Sequence, residues 1–258
     1  QAAITDPLLV RRWGSLYEPG VPPGEIIGGW EAKPHSRPYM AYLEIQRGNN
    51  ISFCGGFLVS ENFVLTAAHC NGDKITVSLG AHNIKKQERS QQKITARRQI
   101  PHPEFNGETA NNDIMLLQLE RKARLNKYVR RIPLPLPRQR VRPGTVCNVA
   151  GWGRTSADHE LSSDTLREVD VVVMQDAACP RNPFGIYCNY NAATMICVGD
   201  PEKGKSSFKG DSGGPLVCQG TAQGIVSWGS KEGTPPAVYT KVSTFIPWIR
   251  TTMRRPQP

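Results

Sequence analysis

Three short motifs place a histidine, an aspartate and a serine where nucleophilic chemistry could use them. Leu65-Thr66-Ala67-Ala68-His69-Cys70 ends an apolar run on an imidazole. Asn112-Asp113-Ile114-Met115-Leu116-Leu117 starts another on a carboxylate, which is costly to bury unless hydrogen-bonded. Gly210-Asp211-Ser212-Gly213-Gly214-Pro215 sets a serine among glycines. Glycine lets the backbone turn sharply and bring two N–H groups close together, the geometry that an oxyanion needs. Alone, each motif has a plain structural reading: a histidine at a strand end, a strand-capping aspartate, a tight turn. Together they supply a hydroxyl, a base to take its proton and a carboxylate to orient the base. Acid that protonates His69 should then stop turnover.

Such residues need a scaffold of strands. The chain has 258 residues, 38% hydrophobic and 21% charged, a globular balance. Its 24 Gly and 21 Pro favour many short strands over long helices. Apolar or alternating runs at 40–45, 57–59, 63–65, 75–79, 114–119, 146–150, 169–174, 196–198, 215–218, 224–228 and 237–242 predict an all-β sandwich or barrel pair. The one clear helix is terminal, 244–255, with Phe245, Trp248, Ile249 and Met253 at helical spacing and Arg254 and Arg255 in its last turn. We expect it to dock on the last barrel. Pro133-Leu134-Pro135-Leu136-Pro137 cannot sit inside a sheet, so 133–143 reads as the crossing between barrels.

Cys54, Cys70, Cys147, Cys179, Cys188, Cys197 and Cys218 form no C-x-x-C pair, and no His cluster has zinc spacing, which argues against a metal site. Wide cysteine spacing in a turn-rich chain suggests disulfides and an oxidising compartment, and an odd count leaves one thiol over. Asn50-Ile51-Ser52 is a glycosylation sequon, which fits secretion. No apolar run is long enough to span a membrane. Residues 1–25 hold no apolar run of signal-peptide length and are left out of the fold reading. The net charge is +10, and 1–25 contribute none of the excess, so the rest should bind polyanions. Arg121, Lys122, Arg124, Lys127, Arg130 and Arg131 form one basic run, and Arg138, Arg140 and Arg142 another. No recognition motif points to nucleic acid.

Ile26-Ile27-Gly28-Gly29, Cys54-Gly55-Gly56-Phe57-Leu58-Val59, Gly80-Ala81-His82-Asn83-Ile84, Val149-Ala150-Gly151-Trp152-Gly153 and Ser207-Phe208-Lys209-Gly210-Asp211 add to the three motifs. With them the chain resembles the trypsin/chymotrypsin family of serine proteases, within the granzyme, cathepsin G and mast cell chymase branch, from about residue 26 to 253. The order His69, Asp113, Ser212 is that of the chymotrypsin type. The resemblance implies an all-β fold of two packed six-stranded antiparallel barrels (26–132 and 133–258) with a C-terminal helix. It implies a serine endopeptidase with no cofactor and no metal, and a catalytic triad with the roles known for this type. His69 would be base and acid, Asp113 its holder and Ser212 the nucleophile, with the Gly210 and Ser212 N–H groups as oxyanion hole.

The resemblance further implies a zymogen. Cleavage before Ile26 would free an ammonium that pairs with Asp211, a buried switch. Gly24-Glu25 resembles the dipeptide that a dipeptidyl peptidase removes in this branch, and the longer 1–25 extension departs from that pattern. Ser206 should form the floor of the specificity pocket, Gly229 its open mouth and Ala237 its base, with Ser227 and Trp228 beside them. Ser227 should also support Asp113. A neutral pocket implies cleavage after Phe or Tyr, and more weakly Leu or Met. Lys209 could favour acidic residues on the leaving side. Disulfides would join Cys54–Cys70, Cys147–Cys218 and Cys179–Cys197, leaving Cys188 unpaired. Implied partners are protein substrates, protease inhibitors and sulfated glycosaminoglycans, in secretory granules or outside the cell. The alternatives are a granzyme- or cathepsin G-like protease of broader specificity, and a silent, polyanion-binding antimicrobial relative. The intact triad speaks against the second.

Overall fold

The computed structural model describes residues 28–154, 162–199, 205–207 and 209–254. Strands β1 (Trp30–Glu31), β2 (Met40–Arg47), β3 (Asn50–Ser60), β4 (Phe63–Thr66), β5 (Lys74–Leu79), β6 (Gln92–Pro101) and β7 (Met115–Leu119) come first. After the connector follow β8 (Val146–Gly151), β9 (Arg167–Val172), β10 (Met195–Val198), β11 (Pro215–Cys218), β12 (Thr221–Trp228), β13 (Ala237–Lys241) and helix α1 (Val242–Arg254).

The first half closes into a six-stranded barrel in the order β2-β3-β4-β7-β6-β5, with β2 pairing β5 to shut it. Along β2, Leu43 and Ile45 point into the core while Glu44 and Gln46 face out, the alternation of a half-buried strand. β7 is apolar almost throughout and buried almost throughout. The core gathers Phe57, Leu65, Met115 and Leu116, none of them accessible to water. Phe57→Ala should therefore lower unfolding free energy by about 3–5 kcal/mol in a denaturant titration, through lost burial and an unfilled cavity. A loss under 1 kcal/mol would show that the barrel collapses around the gap.

The second half is a seven-stranded sheet in the order β1-β9-β8-β11-β12-β13-β10. A bridge between Val173 and Val198 joins the ends of β9 and β10, so six of its strands curl round on themselves. The seventh is β1, which lies on β9 through Trp30↔Glu168 and Glu31↔Arg167. One strand lies outside the predicted runs, and one expectation needs adjustment. β6, with Arg97 and Arg98 exposed at an irregular register, is a strand because β5 and β7 pair with both its edges, not because its sequence alternates. And α1 docks on more than the last barrel. Phe245, Ile246 and Ile249 share one buried cluster with the first barrel, and the His102 ring sits 5.2 Å from that of Phe245.

The connector holds no strand, as its prolines require. It is pinned at its start and its middle, by Ala222 N–H donating to the Pro133 carbonyl and Arg138 N–H donating to the Ser243 carbonyl. The second bond follows from Pro247, inside α1, which has no N–H to give the carbonyl four residues back. Disulfides join Cys54–Cys70, Cys147–Cys218 and Cys179–Cys197. Cys188 is free. No described helix is long and apolar enough to cross a membrane. Residues 1–27, Ile26 among them, and Arg255 lie outside the described residues.

Candidate active site

His69 occupies a single 3₁₀ turn, Ala68–Cys70, directly after β4. The Cys54–Cys70 disulfide ties that turn to β3. The two sulfurs lie near the imidazole but are bonded to each other, so they offer no thiolate to a metal. Asp113 sits two residues before β7 and is 1% exposed. A carboxylate so buried must have its lone pairs filled. Oδ1 accepts the His69 backbone N–H at 2.9 Å, and Oδ2 faces His69 Nδ1 at 2.7 Å and accepts the Ser227 hydroxyl at 2.6 Å. The Thr240 hydroxyl donates to the Asp113 carbonyl at 2.8 Å. Since Oδ2 is an acceptor, the network assigns the ring proton to Nδ1 and leaves Nε2 with a free lone pair. Ser227 and Thr240 belong to β12 and β13, so this carboxylate of the first barrel is held from the second.

The Ser212 turn is clamped between the barrels. Gly55 N–H donates to the Ser212 carbonyl at 2.7 Å, and Cys70 Sγ lies 3.8 Å from the same oxygen. Gly210 and Gly213 have φ of +98° and +82°, which side chains rarely tolerate. A Cβ on Gly213 would fall 2.1 Å from Thr66 Oγ1. Gly213 and Gly214 N–H groups donate to the carbonyls of Val226 and Asp211. By contrast, the N–H groups of Gly210 and Ser212 have no acceptor among the described residues. Backbone donors left open in this way are uncommon inside proteins. Nor does a hydrogen bond join Ser212 Oγ to the His69 ring among the described residues; catalytic contacts of this kind commonly tighten as substrate binds. Asp211 is fully buried, and its Oδ1 accepts the Gly153 N–H at 2.9 Å.

Beside Ser212 lies a cavity of about 220 Å³, and every pocket residue expected from the sequence lines it: Ser206, Ser227, Trp228, Gly229 and Ala237. Gly229 and Ala237 face each other, since a Cβ on Gly229 would stand 3.4 Å from that of Ala237. Ser206 is 3% exposed and carries no charge. Below it the Tyr239 hydroxyl donates to Ser207 Oγ at 2.7 Å. Burial, reinforced by the nearby Asp211 charge and only partly offset by the Ser207 bond, pushes the Tyr239 pKa far up, so the phenol stays neutral. Sequence reasoning missed Ser207, Tyr239 and the rim residue Lys231. Tyr239, in Pro236-Ala237-Val238-Tyr239, was within reach, being two residues along the same strand face from Ala237.

This fold and site are those of a chymotrypsin-like serine peptidase. The family model described as Trypsin matches residues 26–249, and the chain belongs to that family as a serine endopeptidase of the branch that holds cathepsin G, granzymes and mast cell proteases. It is 56% identical to cathepsin G of Homo sapiens over 239 residues, 93% of this chain and 91% of the relative. Granzyme H of Homo sapiens is likewise 56% identical, across 93% of this chain and 96% of its own. The solved structure described as "Structure of GrC" is 50% identical with a TM-score of 0.84, covering 89% of this chain and 100% of that one.

Proposed function

We propose that the chain, once it begins at Ile26, cleaves polypeptides after Phe and Tyr, and more slowly after Leu or Met. One observation carries this reading: no carboxylate lines the cavity beside Ser212, and Ser206, Gly229 and Ala237 in its lining are small and uncharged, which leaves room for an aromatic ring. Ser212 Oγ attacks the scissile carbonyl as His69 Nε2 takes its proton. The oxyanion sits on the open N–H groups of Gly210 and Ser212. His69 then protonates the leaving amine, and water releases the acyl group by the same steps in reverse.

Residues 1–25 act as an extension that holds the enzyme inactive, 26–258 as the protease. The family match starting at Ile26 and the buried Asp211 support an ion pair between them after cleavage. A dipeptidyl peptidase acting on Gly24-Glu25 would make the final cut. The exposed Asn50, at the β2–β3 hairpin, suits glycosylation during secretion into granules. Arg121, Lys122, Arg124, Lys127, Arg130 and Arg131 are all exposed, which supports binding to sulfated glycosaminoglycans. Protease inhibitors would enter by the same cleft as substrates. A second reading, broader specificity, draws on the rim lysines Lys209 and Lys231, which would attract acidic residues flanking the cut.

The test is a mixed peptide library offered to the chain starting at Ile26. Cleavage after Phe and Tyr should exceed cleavage after Lys or Asp by about 10²-fold, since no carboxylate lines the pocket to meet Lys and the small neutral Ser206, Gly229 and Ala237 offer Asp no counter-charge. Gly229→Val should reverse the order in favour of Ala and Val by closing the slot against Ala237. Preference for Lys or Asp in the unaltered chain would overturn the proposal.

A further inference from the structure

The 3₁₀ turn that carries His69 ends at Cys70, and a helix end leaves carbonyls without partners inside the helix. Here the partners come from other strands. The amide that would close one more 3₁₀ bond, Gly72 N–H, donates instead to Gln99 Oε1 at 3.0 Å. Gln99 Nε2 returns a bond to the Gly72 carbonyl at 2.7 Å. Asp73 N–H donates to the Gln46 carbonyl at 2.8 Å. The His69 carbonyl is thereby left to a side chain, and Arg47, the last residue of β2, takes it.

Arg47 is exposed, yet every nitrogen of its guanidinium donates. Nη2 reaches the His69 carbonyl at 2.9 Å, Nε the Asn71 carbonyl at 2.7 Å and Nη1 the Ser52 hydroxyl at 3.3 Å. The first two bonds join carbonyls on either side of Cys70. A planar, rigid fork bonded to both fixes their directions relative to each other. Basic side chains suit this end of a helical turn, where the carbonyls point outward. Ser52 anchors the far edge of the fork to β3, the strand that also carries Cys54 of the disulfide. Asp113 already holds His69 by its N–H and its ring. Arg47 adds the hold on its carbonyl.

We propose that Arg47 is a positioning residue for the His69 base. It does not line the cavity beside Ser212, and its bond goes to the backbone of His69, not to the ring. With the carbonyl fixed, the turn keeps the imidazole where Nε2 can take the Ser212 proton as substrate binds. Released, the turn can shift about its Asp113 contacts, and misplacing a reacting group by about 1 Å costs up to about 10²-fold in rate. Exposure of the guanidinium to water reduces that cost. The shape of the fork matters as well as its charge. Lysine would bring a point charge to one carbonyl and leave the other.

The experiment compares the activated enzyme with its R47A and R47K variants by two readouts. The first is phosphonylation by a small alkyl phosphonyl fluoride, in which Ser212 Oγ displaces fluoride as His69 takes the proton. Its rate per site reads the base, and its end point counts folded sites. The second is kcat and KM for a peptide substrate. R47A should slow phosphonylation per site and kcat alike by about five- to tenfold, with KM within about twofold. R47K should recover less than about half of that loss, since it keeps the charge without the fork. If R47A only lowers the number of sites and changes the rate per site by less than about twofold, Arg47 serves stability alone and the proposal falls. It falls also on full recovery in R47K, which would assign the effect to charge. A loss confined to KM would place Arg47 against substrate and overturn it as well.

Discussion

Ser212→Ala should lower kcat for peptide hydrolysis by about 10⁶-fold while KM stays within a few-fold, the size of loss seen when a serine-protease nucleophile is removed. The geometry explains the split. The methyl of alanine leaves the cavity beside residue 212 open, with Ser206, Gly229 and Ala237 unchanged, so the substrate side chain still binds. The open Gly210 and Ser212 N–H groups also remain, because they are backbone. What is lost is the atom that attacks. Residual turnover about 10³–10⁴-fold above the uncatalysed rate should persist through those donors and substrate positioning. Single-turnover kinetics with a chromogenic Phe peptide would measure both parameters. A loss under 100-fold would mean that another group attacks.

Asp113→Asn should lower kcat by about 10⁴-fold, the magnitude established for this exchange in the chymotrypsin-type triad. The cause can be read from the donors around Oδ2. His69 Nδ1 and the Ser227 hydroxyl both approach it, at 2.7 and 2.6 Å, and both need an acceptor. An asparagine that keeps its oxygen at the Oδ2 position sets its NH₂ against the His69 backbone N–H, donor against donor. Turned over, its NH₂ faces both the Ser227 hydroxyl and His69 Nδ1, so the ring proton moves to Nε2 and the lone pair no longer faces Ser212. KM should barely move, because Asp113 does not line the substrate cavity. Combined with Ser212→Ala, the exchange should cost almost nothing more, since base and nucleophile act as a unit. Full activity in the Asp113→Asn chain would remove the carboxylate from the mechanism.

The legible parts of this protein were those written in contiguous letters. The strands at 63–65, 75–79 and 215–218 showed themselves because one buried face imposes a run or an alternation on the sequence. The glycines around Ser212 were legible for a similar reason, as φ of +98° and +82° admits little else. β6 was not legible, because its strand character comes from neighbours that pair with both edges, while the exposed Arg97 and Arg98 break the apolar pattern. β1 was too short to carry a pattern.

The sequence alone determined which groups are available: an imidazole, a carboxylate, a hydroxyl and seven cysteines. Their types and local turns follow from side-chain chemistry and from backbone angles that only glycine or proline permits. Tertiary structure decided how they meet. Asp113 receives His69 from its own barrel, 44 residues away, and the hydroxyls of Ser227 and Thr240 from the other, 114 and 127 residues away. It also decided that α1 would bridge the two halves and that Arg47 of β2 would meet the His69 turn. Such meetings depend on sheet register and barrel closure, which are properties of the whole chain rather than of any window along it.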